Sequence, residues 1–284
     1  MPGNIRCLFL GDIVGDPGIQ GLQQKLPALK EHYQADVVIA NGENAAGGFG
    51  LTAYTLELIL SSGVDVVSTG NHVWEKRDFW PVLENTPRVI RPANYPPGLP
   101  GRGFMGVPGV EYPIYVINLQ GREEMTPIDC PFRTLDRIIE EITQQTQSSK
   151  GTPIIIVDFH AESNQEKEAL AFYGNGRISA LVGTHTHVQT ADERILTPFS
   201  KIDKNGCAHP QQSAFRSTAY ITDAGMCGVI ESVIGMDAAV CLERNRTQIP
   251  HKMELAKGEP FLQGVCVELS PDDGSALSIE RFSV

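Results

Sequence analysis

The first seventy residues repeat one arrangement: a short β-type run, a polar glycine-rich turn, then a helical segment. The runs are residues 5–10, 37–40 and 64–68, with helix-like stretches at 20–33 and 52–62 and a plausible N-cap at Thr52. None of the runs alternates cleanly between polar and apolar residues, which suits strands covered on both faces. A β-α-β-α-β unit in a parallel α/β sheet follows. Downstream, residues 114–119, 154–157 and 178–182 read as further strands, with helices at 132–147 and 164–173. A Pro- and Gly-rich connection spans 91–108, and the polar segment 197–217, with Pro198, Gly206 and Pro210, reads as a loop. Strand-like runs at 219–222, 238–242 and 264–269 suggest a second sheet half. Neither an internal repeat nor a composition break marks a linker, so one domain over residues 1–284 is expected.

Composition narrows the function classes. Residues 154–157 typify the longest apolar stretches, far short of the roughly 18 residues a membrane span needs. Near Arg6 the apolar run stops at Gly11 and Asp12, so no signal-peptide core is expected and the cytoplasm is the expected location. Six cysteines without a C-x-x-C pair are expected to be reduced. With 23 basic against 34 acidic residues, the net charge of −11 disfavours binding to long nucleic acid. A small phosphorylated substrate remains compatible.

The chemistry-bearing side chains fall just beyond strand C-termini: Asp12, Glu43 with Asn44, Asn71 with His72, His160, and His185 with His187. In an open parallel sheet those ends share one edge, where ligand crevices form. Four of the seven histidines occupy these positions; His32, His209 and His251 lie in a predicted helix or in polar segments. Acidic residues after strands are also commonly helix N-caps, and a His-x-His pair can be two hydrogen-bonded turn residues. Two carboxylates, two carboxamides and several imidazoles on one edge make a mixed O/N set large enough for two ions, and Glu43 can bridge them. Without cysteine among them, a structural zinc site is disfavoured. No G-x-S-x-G, H-E-x-x-H or G-x-x-x-x-G-K-[ST] motif occurs. Gly11, Gly15 and Gly18 read as a tight turn, and Gly47-Gly48-Phe49-Gly50 as a flexible one.

The ordered blocks Gly11-Asp12, Asn41-Gly42-Glu43-Asn44, Gly70-Asn71-His72, His160 and Gly183-Thr184-His185-Thr186-His187 resemble the signature of calcineurin-like metallophosphoesterases. Val14, Glu43 and Thr184 depart from the broad superfamily pattern. Those departures, with Arg91-Pro92-Ala93-Asn94-Tyr95, Asn118-Leu119-Gln120-Gly121-Arg122 and Asp158-Phe159-His160-Ala161-Glu162, resemble the YmdB-type phosphodiesterase branch over nearly the whole chain. Residues 198–216 look longer than that branch's usual connection.

This resemblance implies a four-layer α-β-β-α sandwich of the metallophosphoesterase type and a homo-oligomer. It implies two divalent or mixed-valence metal ions, Fe or Mn first and Mg second. It also implies hydrolysis of small phosphodiesters, including 2′,3′-cyclic nucleotides, by a metal-bound hydroxide. By matching, Asp12, Glu43, Asn44 and His187 would hold one ion; Glu43, Asn71, His160 and His185 would hold the other, with His72 catalytic. Two alternatives stand beside it: a dinuclear amide or ester hydrolase, and a regulatory binding protein with a structural metal site.

Overall fold

The computed structural model describes residues 3–147, 151–196, 201–202, 208–209 and 216–284. The chain opens with β1 (Ile5–Ile13), α1 (Gly15–Tyr33), β2 (Val37–Asn41), α2 (Ala53–Ser61) and β3 (Val66–Ser68). After a short 3-10 turn come α3 (Trp80–Asn85), β4 (Phe104–Gly106), β5 (Ile114–Gln120), α4 (Pro131–Thr146), β6 (Ile154–His160), α5 (Asn164–Gly174) and β7 (Ala180–Thr184). The remainder comprises β8 (Arg194–Leu196), β9 (Lys201–Ile202), β10 (Ala208–His209), β11 (Thr218–Ile221), β12 (Met226–Val229), α6 (Ala238–Thr247), β13 (Pro260–Leu269) and β14 (Ala276–Ser283).

Two six-stranded sheets result, ordered β14-β13-β12-β1-β2-β3 and β4-β5-β6-β7-β11-β8. In the first, β12, β1, β2 and β3 are parallel, while β13 crosses antiparallel to both β1 and β12. In the second, β5, β6, β7 and β11 are parallel between antiparallel edges. Strand alternation stacks the sheets. Ile5, Cys7 and Phe9 of β1 meet Val116, Ile156 and Val182 in a core between the sheets. The opposite face of β1, through Leu8 and Leu10, packs on Ile19, Leu22 and Leu26 of α1 and Leu56 and Ile59 of α2. On the far sheet, Ile155, Val157 and Phe159 pack outward on Leu135, Ile138 and Ile142 of α4 and Leu170 of α5. Helical spacing of these residues gives each helix one apolar stripe, and burying a single Leu or Ile contributes about 1.5–3 kcal/mol. Three apolar layers thus separate the four layers of the expected α-β-β-α sandwich.

Toward the C-terminal ends, the strand faces that form the core between the sheets turn polar. Asn41, Asn118, Asp158, His160 and Thr184 are all buried there. Asp12 reaches this region through a register shift in the β1–β2 pairing between Leu10 and Asp12. Gly11 sits at that shift, where a Cβ would lie 2.1 Å from the Gly225 carbonyl oxygen, so only glycine fits.

Five expectations change. Asp12 and His160 lie inside the C-terminal ends of β1 and β6 rather than beyond them, and the run 264–269 joins β1 in the first sheet as part of β13 rather than forming a second half with 219–222. Residues 238–242 open helix α6, because the Asp237 carboxylate accepts the N–H groups of Ala239 and Val240 as an N-cap. Gly15 and Gly18 belong to α1 rather than to a tight turn. Within the segment 197–217, β9 and β10 pair antiparallel; most of the rest lies outside the described residues.

Candidate metal centre

Glu43, His160 and His185 bring three ligand atoms within 4.8 Å of one another. Around His160 Nε2 lie Glu43 Oε1 at 3.0 Å, His185 Nδ1 at 3.0 Å and Asn71 Oδ1 at 3.1 Å. One nitrogen can offer at most one proton to these three acceptors. Such a surplus of converging lone pairs suits a cation. Gly70 makes the convergence possible: a Cβ there would lie 2.3 Å from both Glu43 Oε2 and His160 Cδ2.

The outer nitrogens orient the rings. His160 Nδ1 lies 2.9 Å from Thr184 Oγ1, whose hydroxyl donates to Asp158 Oδ1 at 2.7 Å. The hydroxyl proton is thereby committed, so Nδ1–H donates to Thr184 and Nε2 faces the cluster. His185 Nε2 sits 3.0 Å from Glu162 Oε2, leaving Nδ1 for the cluster, and His187 Nδ1 sits 2.9 Å from the Ile234 carbonyl. Each imidazole therefore has an outer partner of the kind that fixes a metal ligand's tautomer.

Asp12 and Asn44 add two orphans. Asp12 Oδ2 accepts the His185 N–H at 3.0 Å, but its buried Oδ1 has no hydrogen-bond partner and lies 3.7 Å from His160 Nδ1. Asn44 Nδ2 donates to the Gly48 carbonyl at 2.9 Å, while its buried Oδ1 also has no partner. Buried acceptors are rarely left unpaired, and both oxygens suit a hard or borderline cation. His72 stands apart from this convergence, half-buried, with Nδ1 3.3 Å from Glu75 Oε1; its backbone N–H donates to Glu43 Oε2 at 3.2 Å.

His185 and His187 occupy positive φ, 104° and 64°, where non-glycine residues are uncommon. A buried ion pair holds their loop. Asp223 Oδ2 accepts from Lys167 Nζ at 2.9 Å and from the Thr186 N–H at 3.1 Å, and its Oδ1 accepts the Gly225 N–H at 2.9 Å. Breaking such a pair from one side leaves an uncompensated charge. Lys167→Met is expected to lower unfolding free energy by about 3–5 kcal/mol in urea titrations of the metal-free protein. A loss below about 1 kcal/mol would mean that Asp223 needs no cationic partner.

Electrostatics divides the cluster. Burial pushes the Glu43 carboxyl up, yet adjacent His160 outweighs it and brings the group to about 2. For Asp12 burial prevails over His187 and His160, leaving it at about 7. Burial disfavours the His160 cation, but Glu43 raises it to about 9. Burial and the His160 charge push His185 down to about 3. Without metal, a proton on His160 therefore holds Glu43. Stability from that proton is complete below pH 6.5 and is lost as pH rises through about 9; the raised Asp12 loses its contribution between 3.8 and about 7. A metal ion competes with both protons. Manganese binding followed by calorimetry in buffers of different ionisation enthalpy is expected to release protons at pH 7 and to tighten between pH 6 and 9. A pH-independent affinity would contradict this coupling.

The structure thus brings Glu43, Asn71, His160 and His185 into direct contact, with Asp12 joined through the His185 backbone. Asn44 and His187 contribute the orphan oxygen and an oriented ring, without a direct hydrogen bond to that group. Asp158, Glu162, Thr184, Lys167 and Asp223 were not singled out as site residues from sequence, although Asp158 and Glu162 flank His160 by two positions on either side.

A family model described as YmdB-like protein matches residues 8–282. A 2′,3′-cyclic-nucleotide 2′-phosphodiesterase from Bacillus subtilis is 40% identical over 280 residues, covering 99% of this chain and 97% of the relative. Crystal structures of a hypothetical protein from Thermus thermophilus and a novel phosphatase from Mycoplasma pneumoniae superpose with TM-scores of 0.83 and 0.84. Their identities are 36% and 30%; the alignments cover 99% and 100% of this chain and 99% and 94% of theirs. The chain belongs to the YmdB-like family.

Proposed function

We propose that this chain is a metal-dependent phosphodiesterase that hydrolyses small phosphodiesters, including 2′,3′-cyclic nucleotides. The supporting observation is the surplus of acceptors: Glu43, Asn71 and His185 crowd one nitrogen of His160 while Asp12 Oδ1 and Asn44 Oδ1 lie buried and unpaired. Glu43, Asn71, His160 and His185 would hold one ion; Asp12, Asn44 and His187 would hold a second, with Glu43 shared. The mixed oxygen and nitrogen donors suit Fe or Mn, with Mg as a harder substitute. When bound, such ions supply Lewis acidity toward phosphoryl oxygens and toward water.

The chain's own groups do the rest. Glu43 remains a carboxylate at neutral pH, which keeps the site anionic enough for two cations. Glu162, Thr184 and the Ile234 carbonyl hold three imidazoles in their ligand tautomers. In its imidazolium form His72 donates Nδ1–H to Glu75 Oε1 and carries a second proton on Nε2; that proton passes to the departing ribose oxygen as water oxygen bonds to phosphorus and the phosphorus–ribose oxygen bond breaks. A cyclic substrate opens to a nucleoside monophosphate; one proton of the water restores His72 and the other stays on the phosphate or passes to solvent.

The test is metal-reconstituted hydrolysis of cyclic nucleotides, bis-aryl phosphate, aryl esters and aryl amides, with elemental analysis on the same preparation. Turnover of the phosphodiesters with about two ions per chain is expected. Preferential ester or amide cleavage, or metal without turnover, would overturn the proposal.

A further inference from the structure

We propose that Phe49 is the nucleobase platform of this site, and hence a specificity-determining residue; the inference rests on the phosphodiesterase reading above. Phe49 is 38% exposed, and its ring lies 5.1 Å from the His72 ring in an edge contact. Another ring of this neighbourhood is already occupied: Trp74 meets Trp80 and Tyr95 edge-on at 5.9 and 5.5 Å. Phe49 keeps its exposed surface.

The backbone under Phe49 is tied to the ligand residues themselves. Gly48 N–H donates to the Asn44 carbonyl at 3.1 Å, Gly50 N–H donates to the Glu43 carbonyl, and Ala46 N–H donates to the Gly50 carbonyl at 2.9 Å. The Asn44 side chain adds a bond to the Gly48 carbonyl at 2.9 Å. Gly47, Gly48 and Gly50 all take positive φ, so this is a bonded turn built from glycines, with one large apolar side chain at its tip. A single exposed ring is ordinary on a protein surface; what sets Phe49 apart is its contact with His72 and a backbone tied to Glu43 and Asn44.

A nucleotide offers the matching surface. Its reacting phosphate sits at the metal donors and its leaving oxygen at His72; the base, one ribose ring away, is then within reach of the aromatic ring beside His72. Every base has a π-face, so stacking there favours nucleotides over baseless phosphodiesters without selecting one base strictly. Purines, with the larger face, are favoured over pyrimidines.

The experiment compares kcat/KM for 2′,3′-cyclic AMP, 2′,3′-cyclic UMP and the baseless 1-O-methylribose 2,3-cyclic phosphate, using metal-loaded wild type, Phe49→Ala and Phe49→Trp. Calorimetric binding of 3′-AMP and of inorganic phosphate to the same proteins gives a readout independent of turnover. In Phe49→Ala the ratio of cyclic AMP to baseless kcat/KM is expected to fall about tenfold, with a parallel loss of 3′-AMP affinity relative to phosphate. Phe49→Trp is expected to restore both ratios. Unchanged ratios, with all substrates declining together, would overturn the platform and leave Phe49 as packing for His72. Wild-type protein inert toward every phosphodiester would refute the underlying function instead, while the 3′-AMP measurement still reports on Phe49.

Discussion

Glu43→Gln is expected to reduce bound metal to below one ion per chain and to lower phosphodiester turnover by more than about 100-fold. That exceeds the upper end of the effect seen when only an outer partner of a metal ligand is lost. The substitution is nearly isosteric, so the reason is electronic. Glu43 is fully buried, and its charge persists because His160 beside it outweighs the cost of burial. An amide in its place cannot share anionic oxygen between two cations. It also presents either a neutral oxygen or an N–H group to His160 Nε2, which already faces Asn71 Oδ1 and His185 Nδ1. The residue 43 N–H still donates to Asn41 Oδ1, so the fold is expected to persist. Elemental analysis with far-ultraviolet circular dichroism checks both halves. Two ions retained by a folded Glu43→Gln protein would remove Glu43 from the bridging position.

Why the C-terminal edge was readable from sequence, and its support was not, follows from the range of the forces involved. Apolar runs such as residues 5–10 and 37–40 mark strands because burial on both faces demands it, and the residues after them inherit a place on one edge. That rule groups Asp12, Glu43 and His160, although Asp12 and His160 stand inside β1 and β6 rather than beyond them, and His160 comes from the second sheet. The run at 238–242 carried no comparable two-sided requirement; Ala and Leu suit helices, and the Asp237 cap decided the matter. Strands β4, β8 and β12 are too short for periodicity to reveal; β4 pairs with the next strand, β5, while β8 and β12 pair with β11 and β1, farther away in the chain. The same holds for the groups behind the ligands. Asp223 meets Lys167 and Thr186 across 56 and 37 residues, and Thr184 meets Asp158 across 26. Only the folded chain brings such partners together. Positive φ at His185 and His187 belongs to the folded loop and has no signature in the sequence, although histidine enters that region more readily than most non-glycine residues.

For His72→Ala the expected result separates chemistry from metal binding. Bound metal stays at the wild-type level while kcat for cyclic nucleotides falls about 10²- to 10⁴-fold, the range typical for losing a general acid or base. The geometry supports the separation. The link from residue 72 to Glu43 is its backbone N–H, which alanine keeps, and the imidazole is bonded to Glu75 and packed on Phe49, outside the convergence around His160. A leaving-group series sharpens the test. An aryl phosphodiester expels a phenolate that needs little protonation, so its rate should fall far less than that of a substrate expelling a ribose alkoxide. Equal losses for both leaving groups would indicate that His72 stabilises charge on phosphorus rather than donating a proton. Metal and activity lost in proportion would make it a ligand or a structural residue, and would end its assignment as the catalytic acid.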